Sequence, residues 1–111
     1  MARTETWRVA FLLVPLLAGA AAFAVDAPTN EVKIENFTFA PEAITVLAGT
    51  KVTWVNRDDI PHTVTAQDHS FRSKALDTND SFSFTFEKPG EYAYFCSIHP
   101  KMVGKIIVKA P

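Results

Sequence analysis

The sequence predicts an all-β protein, a Greek-key antiparallel β-sandwich, on three observations. Strict period-two alternation in Ser81-Phe82-Ser83-Phe84-Thr85-Phe86 puts three phenylalanines on one face of a half-buried strand, where they read as core. Short runs rich in β-branched and aromatic residues recur between turn signals along most of the chain. No segment combines helical periodicity with capping residues.

The elements follow in order. Glu31 to Phe39 reads as a strand, with Val32 and Ile34 on one face and Phe37 and Phe39 completing an apolar run after Asn36. Ala43 to Leu47 and Thr50 to Asn56 are two further strands, with Ala48-Gly49 as the turn between them. Ala66 to Asn79 is the least regular stretch and is read as loop with room for one short strand. After Ser81 to Phe86, Pro89-Gly90 marks a turn into Glu91 to Cys96, and Gly104 to Lys109 supplies a last β-branched strand.

Residues 1–24 read as a secretory signal peptide: Arg3 and Arg8 in a short basic region, an apolar run from Val9 to Ala22, and Ala22-Phe23-Ala24 before the cut. Pro15 and Gly19 break that run and it is short for a bilayer span, so a retained anchor helix is the weaker alternative. Cleavage leaves one domain, residues 25–111, exported and with no membrane segment. That domain carries nine Lys and Arg against eleven Asp and Glu, a net charge of −2 without a basic cluster, which disfavours nucleic acid as a partner. Asp58, Asp59, Asp68, Asp77 and Asp80 are read as solvated surface charges, and His69 as a surface histidine.

An exported domain this small normally pairs its cysteines, so a lone Cys96 calls for an explanation. Tyr94-Phe95-Cys96-Ser97-Ile98-His99-Pro100-Lys101-Met102 supplies one, since it gathers a thiolate, an imidazole and a thioether in a short loop. Met102 is the only methionine besides the initiator, so neither sulfur residue serves bulk packing. Pro61-His62 offers a second imidazole at the end of a strand-like run. Two His and a Cys with a weak axial Met form the ligand set of a blue-copper electron-transfer site. Three other readings use the same residues. Cys96 with His62 or His99 formally allows a thiol nucleophile, which leaves Met102 unexplained. A structural zinc site rarely takes a thioether. A copper carrier would use the same ligands for delivery.

On these residues the chain resembles the cupredoxin family, and within it most closely the amicyanins. The likeness runs from about Phe37 to Lys109 and is closest at Ala48-Gly49-Thr50-Lys51-Val52-Thr53-Trp54-Val55-Asn56-Arg57, at Pro61-His62, and from Pro89-Gly90-Glu91-Tyr92 into Cys96. The spacing Cys-x-x-His-x-x-Met is the short ligand loop of amicyanins. The resemblance implies a cupredoxin-like sandwich holding one copper ion, Cu(I) or Cu(II), with His62, Cys96 and His99 as strong ligands and Met102 as the axial one. It also implies that Asn56 pins the ligand loop toward Ser97, and that a backbone N–H near Thr63 donates to the Cys96 sulfur. Electrons would enter at His99 through an apolar patch including Pro61, Ile98 and Pro100. The implied setting is a monomer in the bacterial periplasm, between an amine dehydrogenase and a c-type cytochrome. Many family members have Asn where Thr63 stands, and amicyanins commonly have an aromatic residue in place of Lys101.

Overall fold

The computed structural model describes residues 30–111, so the expected leader at residues 1–24 lies outside the described residues. Eight strands form: β1 (Glu31–Glu35), β2 (Thr38–Ala40), β3 (Ala43–Leu47), β4 (Thr50–Asn56), β5 (Thr65–Ala66), β6 (Ser81–Phe86), β7 (Gly90–Phe95) and β8 (Val103–Lys109). They make two four-stranded sheets, in the orders β2-β1-β4-β6 and β3-β8-β7-β5. The all-β sandwich expected from the sequence is therefore present.

Its sheets are mixed rather than purely antiparallel, because β1 runs parallel to β4 and β3 parallel to β8. Ala48-Gly49 explains the second departure. These residues do not close a hairpin; they carry the chain from one sheet to the other, with Ala48 N–H donating to Lys109 and Gly49 N–H to Phe86, on opposite sheets. Gly49 sits at φ 92°, a conformation that favours glycine.

A second difference concerns residues 31–39, which are two strands and not one. Glu35 pairs with Thr38, so Asn36 and Phe37 are the two central residues of a tight hairpin, at φ 53° and 59°. The turn turns Phe37 out of the apolar run, and it is 52% exposed.

The core lies between the sheets. Trp54 is fully buried, with Phe71, Phe82, Phe86 and Tyr94 around its ring at centroid distances of 5.4–6.3 Å. Of the three alternating phenylalanines, Phe86 is buried, whereas Phe82 and Phe84 are half-buried because β6 is an edge strand. Tyr94 pairs across the ladder with Gly104, and a Cβ at residue 104 would lie 2.3 Å from the tyrosine ring. That glycine is therefore required by the close approach of an aromatic ring rather than by backbone angle.

The connection from β4 to β6, residues 57–80, crosses the end of the sandwich. It is tied down by β5, by a bridge between His62 and Leu76, and by a bridge between Thr65 and Arg72. The β7–β8 loop, residues 96–102, and the Asn36-Phe37 turn meet it at the same end.

Candidate metal centre

Each predicted metal ligand comes from a loop whose ends are held by the ladders. His62 exchanges two backbone hydrogen bonds with Leu76, 3.1 and 2.7 Å, which seat it in the interior with no solvent exposure. Cys96 follows β7 directly and is also fully buried. Its N–H donates to the Met102 carbonyl at 3.1 Å, while Met102 N–H donates to the His99 carbonyl at 2.8 Å, so three of the predicted ligands sit in one internally bonded loop.

The side chains converge. His62 Nδ1 lies 3.8 Å from Cys96 Sγ and His99 Nδ1 3.9 Å from it, and the donor atoms of these three residues all fall within 4.8 Å of one another. Met102 is buried and borders, with His99, the same surface recess. His69 is exposed and stands apart from this cluster.

Asp58 fixes one imidazole. Its carboxylate accepts from His62 Nε2 at 2.8 Å, and that bond leaves the Nδ1 lone pair directed at the cluster. The same carboxylate accepts the Asn36 and Phe37 N–H groups, at 2.7 and 2.9 Å. Partial burial pushes the Asp58 carboxyl up, but these two N–H donors and His62 together outweigh it and hold the group below the ordinary carboxylate range. Asp58 is thus part of the site and not a solvated surface charge. Sequence reading missed it because an Asp–His pair four apart in a loop carries no periodic signal.

The thiol sulfur accepts from Thr63. The backbone N–H of Thr63 lies 3.3 Å from Cys96 Sγ, as the resemblance implied, and its hydroxyl stands at 3.8 Å. Asn56 plays a different part from the one expected. Its amide donates to the carbonyls of Ile60 and Leu76, both at 2.8 Å, and its Oδ1 accepts Asp58 N–H at 2.9 Å. The tie to Ser97 is made by Thr63 instead: its Oγ1 accepts Ser97 N–H at 2.7 Å and pairs with Ser97 Oγ at 2.7 Å. Thr63 is too short to span farther, and with Ser97 this close it need not.

Phe37, expected in the apolar run of a strand, is the other missed residue. Its ring meets those of His62 and His99 edge-on, at centroid distances of 5.5 and 5.1 Å. Asn36 in front of it, between alternating runs, was the available turn signal.

This donor set fits copper. Two imidazoles and one thiolate sit close enough to share an ion, one imidazole has its tautomer fixed, and the thiol is buried among N–H and O–H donors rather than presented to solvent. A β-sandwich that closes such a cluster at one end defines the class of small blue-copper electron-transfer proteins. The chain belongs to the cupredoxin-like family: the family's sequence model, described as a cupredoxin-like domain, matches residues 8–108. It is 35% identical over 101 residues to amicyanin-alpha of Methylorubrum extorquens, covering 85% of each chain. Among solved structures it is similar to a purple cupredoxin from Nitrosopumilus maritimus, with TM-score 0.69 and 33% identity over 71% of this chain and 98% of that one. An amicyanin variant in its Cu(I) form matches with TM-score 0.67 and 30% identity, over 71% of this chain and 80% of that one. Copper is the cofactor of this family, and its amicyanins are electron carriers rather than enzymes.

Proposed function

We propose that His62, Cys96, His99 and Met102 ligate one copper ion and that the protein shuttles single electrons between redox proteins in the bacterial periplasm. The observation that carries this is the convergence of His62, Cys96 and His99 on a common point beneath two loops held by the sandwich. Copper in such a site supplies a one-electron couple between Cu(I) and Cu(II). The chain's own residues supply the frame. Asp58 orients His62, Thr63 N–H stabilises negative charge on the Cys96 sulfur, and the internal bonds of the β7–β8 loop limit how far the donors can move. A frame that moves little keeps the reorganisation accompanying each electron small.

Residues 1–24 are proposed as the cleaved leader and 25–111 as the mature, monomeric domain. Among the described residues no helix is long and apolar enough to cross a membrane. Partners would dock where Phe37, Ile98, His99 and Pro100 line the recess over the site. Amine dehydrogenase as donor and a c-type cytochrome as acceptor fit the likeness to amicyanins.

The test is a visible absorption spectrum before and after stoichiometric Cu(II). An intense blue band that bleaches with ascorbate and is missing in Cys96→Ser supports the reading. A colourless product with wild-type protein would end it. Ready transfer of the ion to a chelating acceptor, with slow electron exchange, would favour the copper carrier instead.

A further inference from the structure

Phe37 occupies a position that local chemistry argues against. Two-residue hairpin turns with both central residues at positive φ favour Asn or Asp followed by Gly, and the first half of that rule is met by Asn36. The second half is broken by a phenylalanine at φ 59°. A bulky residue in the left-handed region persists only where its surroundings over-determine it, and such positions cluster at functional sites. Here the surroundings are Asp58, whose carboxylate takes both turn N–H groups.

Packing does not account for the choice of residue. About half of the residue's surface stays in solvent, which a core phenylalanine would not do. What the conformation achieves is contact with both histidines at once, edge-on. Moreover, the Asp58 oxygen that accepts Phe37 N–H, Oδ2, is the one that accepts His62 Nε2. The turn and the histidine are one hydrogen-bonded unit. Beside them the recess carries an exposed cation, Lys101, which gives a small anion a contact on its way to the site.

Resting on the copper reading above, we propose that Phe37 is a positioning residue for the site: held by Asp58 in a left-handed turn, its ring caps His62 and His99 and excludes small anionic ligands from the metal position. Exclusion matters to an electron carrier because an added ligand would change coordination between the two oxidation states and slow every transfer. The cap does this while leaving its outer face exposed for a partner to touch.

The experiment is an azide titration of the copper-loaded protein, read in the blue band, for wild type, Phe37→Gly, Asp58→Asn and the double variant. Phe37→Gly produces the favoured Asn-Gly pair, so the turn is expected to hold and the copper-free form to melt no lower than wild type. Azide should perturb the band of Phe37→Gly at concentrations about tenfold lower than for wild type. Asp58→Asn should shift the titration in the same direction although the Phe37 side chain is retained, because the turn that holds it is loosened. Asp58 also orients His62 directly, so the double variant should exceed Phe37→Gly but fall short of the sum of the two single shifts, because part of the Asp58 effect passes through the cap. Equal azide sensitivity of wild type and Phe37→Gly would overturn the proposal, as would additive effects in the double variant. If Phe37→Gly fails to fold, an azide response unchanged by Asp58→Asn overturns it. A wild-type protein with no blue band would instead overturn the copper reading beneath it.

Discussion

Replacing Asn56 with alanine should destabilise the copper-free protein by about 3 kcal/mol, from three lost side-chain hydrogen bonds at about 1 kcal/mol each. The three are the amide bonds to the Ile60 and Leu76 carbonyls and the bond from Asp58 N–H to Oδ1. Asn56 is fully buried at the end of β4, so water cannot replace those partners without opening the end of the sandwich. For a domain of this size, 1 kcal/mol corresponds to roughly 4–8 °C, which puts the expected fall in Tm at roughly 12–24 °C. The assay is urea and thermal unfolding of the copper-free form, since bound metal would add its own stabilisation. Ser97→Ala is the comparison. Ser97 is exposed and its backbone bond to Thr63 survives the change, so the loss should stay below about 1 kcal/mol. A loss under about 1 kcal/mol for Asn56→Ala, or equal losses for the two variants, would refute the argument that Asn56 braces the His62 loop rather than the Cys96 loop.

Thr63→Val removes the hydroxyl near Cys96 Sγ while keeping the backbone donor, so the sulfur gives more charge to Cu(II) and the reduction potential falls. A weak hydrogen bond of about 0.5–1 kcal/mol corresponds to about 20–40 mV for one electron, measurable by redox titration; an unchanged or raised potential would contradict it. Gly104→Ala drives a methyl group into the Tyr94 ring, and unfolding of the copper-free form should show a loss of about 1–3 kcal/mol or more. Burial pushes the Tyr94 hydroxyl up to about 12 from 10.0, so the folded state holds its proton where the unfolded chain has lost it. Stability should therefore decline as pH rises from 10 toward 12, by about 2–3 kcal/mol at most, and the decline should be smaller in Tyr94→Phe when both are unfolded in urea across that range.

Much of the architecture was legible because it is written in local pattern. Alternation in β6 and the short apolar runs of β3, β4, β7 and β8 each fix a strand and its inner face from neighbouring residues alone. The parallel pairings of β1 with β4 and of β3 with β8 were not legible, since strand partners are chosen by the packing of the whole chain. The β1–β2 hairpin was hidden by Phe37, which stands where such a turn normally has glycine and so looks like one more strand residue. At the site, residue type gave the donors, because few folds need a lone Cys and a lone Met within one loop. Their supports were harder to read. Asp58 looked like one acid among five, and its role depends on two loops and a turn meeting at one carboxylate. Thr63 takes the tie to Ser97 expected of Asn56 for a steric reason: it already sits against Ser97, leaving the longer Asn56 amide to reach the carbonyls of Ile60 and Leu76.

The central claim is that four side chains hold one copper ion in a frame that lets it gain and lose an electron with little rearrangement. Voltammetry of the copper-loaded protein, with Met102→Leu and Cys96→Ser alongside, tests it most directly. The account predicts a reversible one-electron wave in wild type, a reversible wave at shifted potential in Met102→Leu, and no reversible wave in Cys96→Ser. A wild-type wave that is absent or irreversible, or one that survives Cys96→Ser unchanged, would contradict it.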